Sequence, residues 1–461
     1  MSKIISISSQ AIRKLNTPQL LKGGLYLTWS ATILLLITTI SGVQGQRQAI
    51  KTLGKDSTPS IVTAQRLKDA FAGMDANVAN ELLVPAGQNT DAVKGYEERY
   101  QKAAERLVAA AENITYGDKE RKPIESMQLG LGNYIAKVQQ ARDFHQSGDT
   151  NSVLVAYRAA AEIMDKTLLP AADELDEANF AELKRSYSEE KFASGRSLFF
   201  IVISGVILIV VLVGFQVFLS RRMRRTLNPY LLAATAIAFI FLGYTTKAIL
   251  SSANNLTLAK ERAFDSMHAL RQARAIAYSA DADQSRYLLD PTFASKHELA
   301  FMEKASRLAK LTDGLTVENI TAAVKQDKDV KGFTGFLADE LVNIPGNFFP
   351  GEQEAALASF STWENYIAID QQIRQLNQSG KLQEAIALCL GDKPGQSNWA
   401  IDQFKKANQN TFDINQAVFD KAIKQGDDDV TGFEITTPIA VSAIALLTLF
   451  GLLPRLKEYS S

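Results

Sequence analysis

Four long apolar runs interrupt an otherwise polar chain, at residues 24–43, 198–219, 230–250 and 435–453. Leu198–Leu219 is 22 residues without a charge, and Tyr230–Thr246 is 17 more. A helix of about 20 apolar residues crosses the roughly 30 Å hydrocarbon layer of a bilayer with its backbone hydrogen bonds satisfied internally. Each run therefore predicts a membrane-spanning helix. Only residues 220–229 separate the second run from the third, so these two form a hairpin. Asn228 and Pro229 suit the cap and first turn of its second arm.

Elsewhere apolar residues recur every three or four positions. Ala64, Leu67, Ala70, Phe71, Met74, Val78 and Leu82 mark one face of a helix over Thr63–Val84. The same period continues through Asp91–Glu112, Ile124–Gln146 and Val153–Lys191. Breaks fall at residues 85–87, 116–118 and 146–149, each with Gly or Pro–Gly chemistry. Segment 44–197 thus predicts an antiparallel four-helix bundle. Segment 251–434 predicts a second one, with helices at Leu256–Leu289, Ala294–Leu311, Ala355–Gln378, Lys381–Leu390 and Ala400–Lys424. No alternating run of β-branched residues appears, so the expected class is all-α.

The two halves are copies. Residues 133–148 align with residues 365–380, an offset of 232, with 10 of 16 positions identical. Leu82-Leu-Val-Pro85 aligns with Leu288-Leu-Asp-Pro291, an offset of 206. The difference of 26 residues is close to the size of a Gly-, Pro- and Phe-rich insertion at 327–353, which predicts a structured loop with a short helix at Phe336–Val342. Each half enters the membrane, builds a bundle and returns, which makes the halves parallel tandem repeats.

Charge orients this layout. The chain has 50 basic and 50 acidic residues. Residues 1–23, 220–229 and 454–461 together hold ten bases and one acid. Basic residues beside spans mark the cytoplasmic side. The expectation is a multi-pass protein of a bacterial plasma membrane. Its cytoplasmic parts are both terminal tails (1–23, 454–461) and an Arg-rich turn (220–229). The spans are 24–43, 198–219, 230–250 and 435–453, and the bundles at 44–197 and 251–434 lie outside. The first run is too long for a signal-peptide core and reads as an uncleaved anchor.

The chemistry of catalysis is missing. His145, His268 and His297 lack partners at metal-ligand spacing and read as surface residues. There is no phosphate-binding glycine loop and no Gly-x-Ser-x-Gly. Cys389 is the single cysteine and reads as a small buried residue. No charge lies in the interior of an apolar run, Lys247 sitting at the outer end of the third, which argues against an ion path. The expectation is a non-enzyme with no metal, no cofactor and no nucleic-acid partner.

Three clusters are candidate sites. Arg271 and Arg274 share a helix face, with Arg286 further along, and could grip a ligand carboxylate; the alternative is a solvated face paired with Asp281, Asp283 and Glu261. Phe333, Phe336, Phe348 and Phe349 in the insertion form either a plug for the bundle or a partner-docking patch. Arg221, Arg222, Arg224 and Arg225 serve as a topology signal or hold anionic lipid or an acidic cytoplasmic partner.

Two resemblances follow from particular residues. Gln378-Ser-Gly380, Ala385, Leu388 and the run to Lys421, with the exit Arg221–Pro229, resemble the four-helix-bundle sensor domain of bacterial chemoreceptors and the start of its HAMP linker. No HAMP helices or methylation hairpin follow. Residues 263–270, 283–290, 337–341 and 349–352, within the four-span layout, are similar to the second half of an actinobacterial membrane protein. That protein accompanies an extracytoplasmic glutamate/aspartate-binding protein and the G-type Ser/Thr protein kinase. This second resemblance implies a relay in which a loaded solute-binding protein docks outside and a cytoplasmic kinase is informed inside. A direct small-molecule sensor and a structural membrane-assembly subunit are the alternatives. The ligand and the oligomeric state stay open at this level.

Overall fold

The computed structural model describes residues 17–223, 227–312, 314–326, 328, 330–342 and 349–457. Its first half comprises helices α1 (Thr17–Lys51), α2 (Thr58–Leu82), α3 (Thr90–Glu112), α4 (Asp118–Ser147), α5 (Thr150–Ile163) and α6 (Leu169–Met223). Then come α7 (Pro229–Thr257), α8 (Asp265–Leu289), α9 (Ala294–Leu308), α10 (Val317–Lys325) and α11 (Phe336–Val342). The last four are α12 (Glu352–Gln378), α13 (Leu382–Leu390), α14 (Ser397–Val430) and α15 (Phe433–Lys457). Among the described residues the only strands are β1 (Lys310–Leu311) and β2 (Phe333–Thr334), paired antiparallel. The protein is all-α, as the periodicity predicts.

The chain divides into two units. The first contains residues up to Leu53, Arg185–Thr257 and the chain from Ala422 onward. Leu21, Leu35, Leu208, Leu212, Leu231, Phe241, Ile444 and Leu452 form a core there. The outward faces are also apolar: Phe239 and Ile240 are each 69% exposed, and Phe199, Val210 and Ile439 are exposed too. Four helices are long and apolar enough to cross a membrane. Helices apolar on both sides need lipid as their outer neighbour, so this is a membrane protein. Thr38 Oγ1 and Ser204 Oγ share a 2.9 Å hydrogen bond between helices. Gly205 lies where a Cβ would meet Leu242. A Cβ at Gly214 would have no neighbour within 4 Å.

The second unit contains Gly54–Lys184 and Leu258–Lys421. Each repeat supplies its own core. Phe71, Met74, Met127, Tyr134 and Tyr157 lie in one, and Phe301, Trp363, Tyr366, Ile373 and Phe404 in the other. The two bundles nevertheless meet in one unit, because α2 packs on α8 as well as on α3, and α8 packs on α9. A helix with neighbours on all sides buries its polar positions too. Asn80 therefore bonds Ser285, and Gln65 Nε2 donates to the His268 carbonyl at 3.3 Å.

The repeat is visible in geometry. A π-helical segment at Thr52–Ser57 recurs 206 residues on at Leu258–Phe264. The Tyr134 hydroxyl donates to Asp75 at 3.4 Å, and its counterpart Tyr366 donates to Asp281 at 3.2 Å. Gly148 and Gly380, 232 apart, both take positive φ (78° and 77°) to end a helix, a conformation cheap only for glycine.

The insertion folds inward. Phe333 is buried and packs against Phe360, with tilted rings 4.7 Å apart between centroids, in a small core with Ile320, Val324 and Leu341. The β1–β2 ladder turns its side chain toward that core. The exposure expected of a docking patch is therefore absent at Phe333. Phe336 is half-buried against the second core, and Phe349 is half-buried under Arg262, 5.0 Å from the ring. Phe333 thus packs inward as a plug would, while Phe336 and Phe349 each keep part of their surface exposed. Phe348 lies outside the described residues.

Candidate functional site: a cation-rich cavity between the repeats

Four helices of the second unit each present one stripe to a cavity of about 540 Å³. Arg66, Asp69, Ala70 and Asn77 come from α2, and Gly95, Glu98, Arg99, Lys102 and Arg106 from α3. Arg271, Arg274 and Tyr278 come from α8, and Asp402, Lys405 and Gln409 from α14. Steps of three and four put each set on one face of its helix. Seven bases meet three acids, a local excess of four positive charges.

Asp69 is the floor. Its carboxylate lies 3.7 Å from both Arg271 and Arg274, beyond hydrogen-bond distance, and its Oδ1 has no hydrogen-bond partner. Burial pushes its carboxyl above the usual range, against the pull of Arg274, Arg271, Arg99 and Arg106. Arg271 is 8% exposed, its Nε is unpartnered, and its guanidinium lies 4.1 Å over the Phe412 ring. Burial, opposed by Asp69 and assisted by Arg274, lowers its pKa to about 10. Arg274 donates to Gln409 Oε1 at 3.1 Å. Arg99 Nη2 donates to the Tyr278 hydroxyl at 2.7 Å. Glycine at 73 makes room for this arginine: a Cβ there would overlap the Arg99 guanidinium. Burial tends to raise the Tyr278 pKa, but Lys405, Arg99 and Arg274 overcome it and bring the phenol to about 8. These groups form a water-accessible set of Arg donors suited to an anion.

The sequence-predicted residues divide. Arg271 and Arg274 stand side by side in this cavity, facing Asp69 rather than Asp281, Asp283 or Glu261. Arg286 does not line it. Arg286 is 2% exposed, and its guanidinium is engaged by Asp75, Asp165, Asp283 and the Tyr157 hydroxyl. Such a group has no donors left for a ligand, so the expected ligand role of Arg286 gives way to a structural one. The α3 stripe and Lys405 escaped notice in the sequence. Arg99, Lys102 and Arg106 at helical spacing carried a signal, but nothing said that α3 and α14 face the same space.

Arg221 is exposed. Arg224 and Arg225, and the side chain of Arg222, lie outside the described residues. Asn228 Oδ1 accepts from the Tyr230 N–H at 3.1 Å, as expected of a cap. The three histidines are half-buried rather than on the surface: His145 bonds the Val84 carbonyl, His268 meets Asp176 and stacks on Phe180, and His297 lies 3.9 Å from Asp283. Each fills a gap between helices with a polar partner at hand. Cys389 is buried, and burial pushes its thiol up to about 12. No group of three or more metal-ligating side chains occurs among the described residues.

Residues 49–188 match the family model of an actinobacterial sensor domain. The match supports a sensor role, and it covers the helices that give nine of the cavity's fifteen residues. No curated protein and no solved structure matches the chain. The remaining six cavity residues come from the second repeat, beyond the sensor match.

Proposed function

We propose that this membrane sensor holds its second unit outside the cell and receives its signal as a small anion in the cavity between α2 and α8. Both termini and the hairpin turn then lie in the cytosol, in keeping with their excess of bases. The single observation that carries this reading is that one cation-rich cavity is lined by helices from both repeats. An anion that neutralises it favours one packing of α2 against α8 over another, and a ligand shifts an equilibrium only by such differential affinity. α6 is helical without a break from Leu169 to Met223 and offers a path for the change. A cytoplasmic partner such as a Ser/Thr kinase reads it.

The test separates binding from relay. Ser194→Pro breaks α6 inside the first unit, past the boundary at Lys184 and Arg185. Anion binding to the full-length variant is expected to persist while the cellular response to external solutes disappears. A response that survives the break overturns the relay. If anions alone never act and a ligand-loaded solute-binding protein does, docking of that protein replaces direct sensing.

A further inference from the structure

We infer that the cavity selects compact oxyanions carrying at least two negative charges, such as polycarboxylates or inorganic phosphates, over monovalent and aromatic anions. The inference rests on the reading of the cavity as the sensory site and narrows what it takes.

Charge is the first argument. Two of the three acids are already engaged by lysines: Lys405 Nζ donates to Asp402 at 2.9 Å, and Lys102 lies 4.0 Å from Glu98. What remains is five arginines around one carboxylate, that of Asp69. A single negative charge leaves most of that excess in place. Two or three come close to balancing it.

The walls give the second argument. They are mostly polar, and ligands with large apolar bodies need apolar walls. Aromatic platforms are taken. The Tyr278 ring has Arg99 at 4.2 Å and Lys405 at 4.5 Å from its centroid, and the Phe412 ring carries Arg271. A nucleobase would find no free face to stack on. Arginine forks match the planar or tetrahedral oxygens of carboxylates and phosphates two bonds at a time. Arg271 is the most poised of them, nine-tenths buried with its Nε unpartnered.

The experiment is calorimetry on the full-length protein in nanodiscs of neutral phosphatidylcholine, which removes anionic headgroups as competitors. Citrate and pyrophosphate are compared with acetate and chloride at matched ionic strength. Citrate or pyrophosphate is expected to bind at least tenfold more tightly than acetate. A variant with Arg66→Gln and Lys102→Gln, both exposed on the cavity rim, is expected to fold normally and lose most of that preference. If acetate binds as well as citrate, the charge selection is overturned while the anion-sensor reading stands. If no anion binds at all, both fall. If the rim variant keeps the full preference, the selection does not come from this cavity and the inference is overturned.

Discussion

Two ionic centres lie on the same pair of helices and have opposite fates. Asp69 and Asp75 are six residues apart on α2, about 9 Å along the axis. Arg271 and Arg274 on α8 face the first, and Arg286 on α8 meets the second. Around Arg286, three carboxylates (Asp75, Asp165, Asp283) outnumber two bases (Arg286, Lys304). The guanidinium bonds Asp165 and Asp283 at 3.0 Å each, and the Asp75 and Asp283 side chains are 2% and 1% exposed. Around Asp69 the balance is reversed, and the space stays open. Charge balance, more than residue type, separates a closed helix contact from an open, cation-rich cavity.

The repeat supplies an internal control. Positions 206 residues before Arg271, Arg274 and Tyr278 hold Gln65, Lys68 and Ala72. Lys68 pairs with Asp173, the counterpart of Lys405 at the 232 offset, and Gln65 reaches a backbone carbonyl. One copy of the motif has thus been neutralised by its own helices, and the other has kept an excess of bases. Divergence at a handful of charges is enough to leave one cation-rich cavity in a two-repeat unit.

The sharpest way to break the comparison is Arg286→Ala. Burial, eased by Arg286, already pushes the Asp75 carboxyl up to about 6. Without its cation Asp75 keeps only the Tyr134 and Tyr157 hydroxyls and Asp283 keeps Lys304, and breaking a buried ion pair in this way costs about 3–5 kcal/mol. Thermal melting followed by circular dichroism should fall by several degrees at neutral pH. Arg66→Ala, at an exposed cavity position, should change stability by less than about 0.5 kcal/mol. Equal effects at the two positions would mean that the two centres are energetically alike.

A smaller effect is expected from Asp69→Asn. The substitution removes the one carboxylate facing Arg271 and Arg274 and raises the cavity's excess from four positive charges to five. Citrate affinity should rise about tenfold, the equivalent of roughly 1.4 kcal/mol. The same change at Asp283, in the acid-rich centre, should leave citrate affinity unaltered. Unchanged affinity in Asp69→Asn would show that Asp69 does not compete with the ligand.

How much of this is readable in the chain depends on distance along it. The start of α3 near Asp91, capped by the Asn89 side chain that accepts from the Ala92 N–H at 3.1 Å, and the short α11 at Phe336–Val342 are local patterns. The four spans, the repeat and the Arg271–Arg274 pair are also local patterns. Periodicity alone could not tell that Phe333 turns inward, because a two-residue ladder with Lys310 and Leu311 decides it. Nor could it tell Arg274 from Arg286. Both are α8 arginines among acids, and only the packing of α2 and of the segment Met164–Leu168 shows which acids each one meets.

The mildest prediction concerns pH. Tyr278 faces Lys405, Arg99, Arg274 and Asp69, and its phenol titrates near 8. Below that value the phenol is neutral and the excess stays at four; above it a phenolate subtracts one charge. Affinity for a multivalent anion should therefore fall as pH rises from 7 to 9, by about two- to fivefold, since one unit of charge in a solvated cavity is worth about 1 kcal/mol or less. The sign follows from the lowered pKa: the ionised form dominates above 8, and that form opposes the ligand. Tyr278→Phe should flatten the profile and leave affinity at pH 7 close to that of the parent. The centre at Arg286 contains no group with this titration, so a matching pH dependence of melting temperature between 7 and 9 is not expected. A binding profile that is flat in the parent, or equally steep in Tyr278→Phe, would assign the dependence elsewhere and remove Tyr278 from the electrostatics of the cavity.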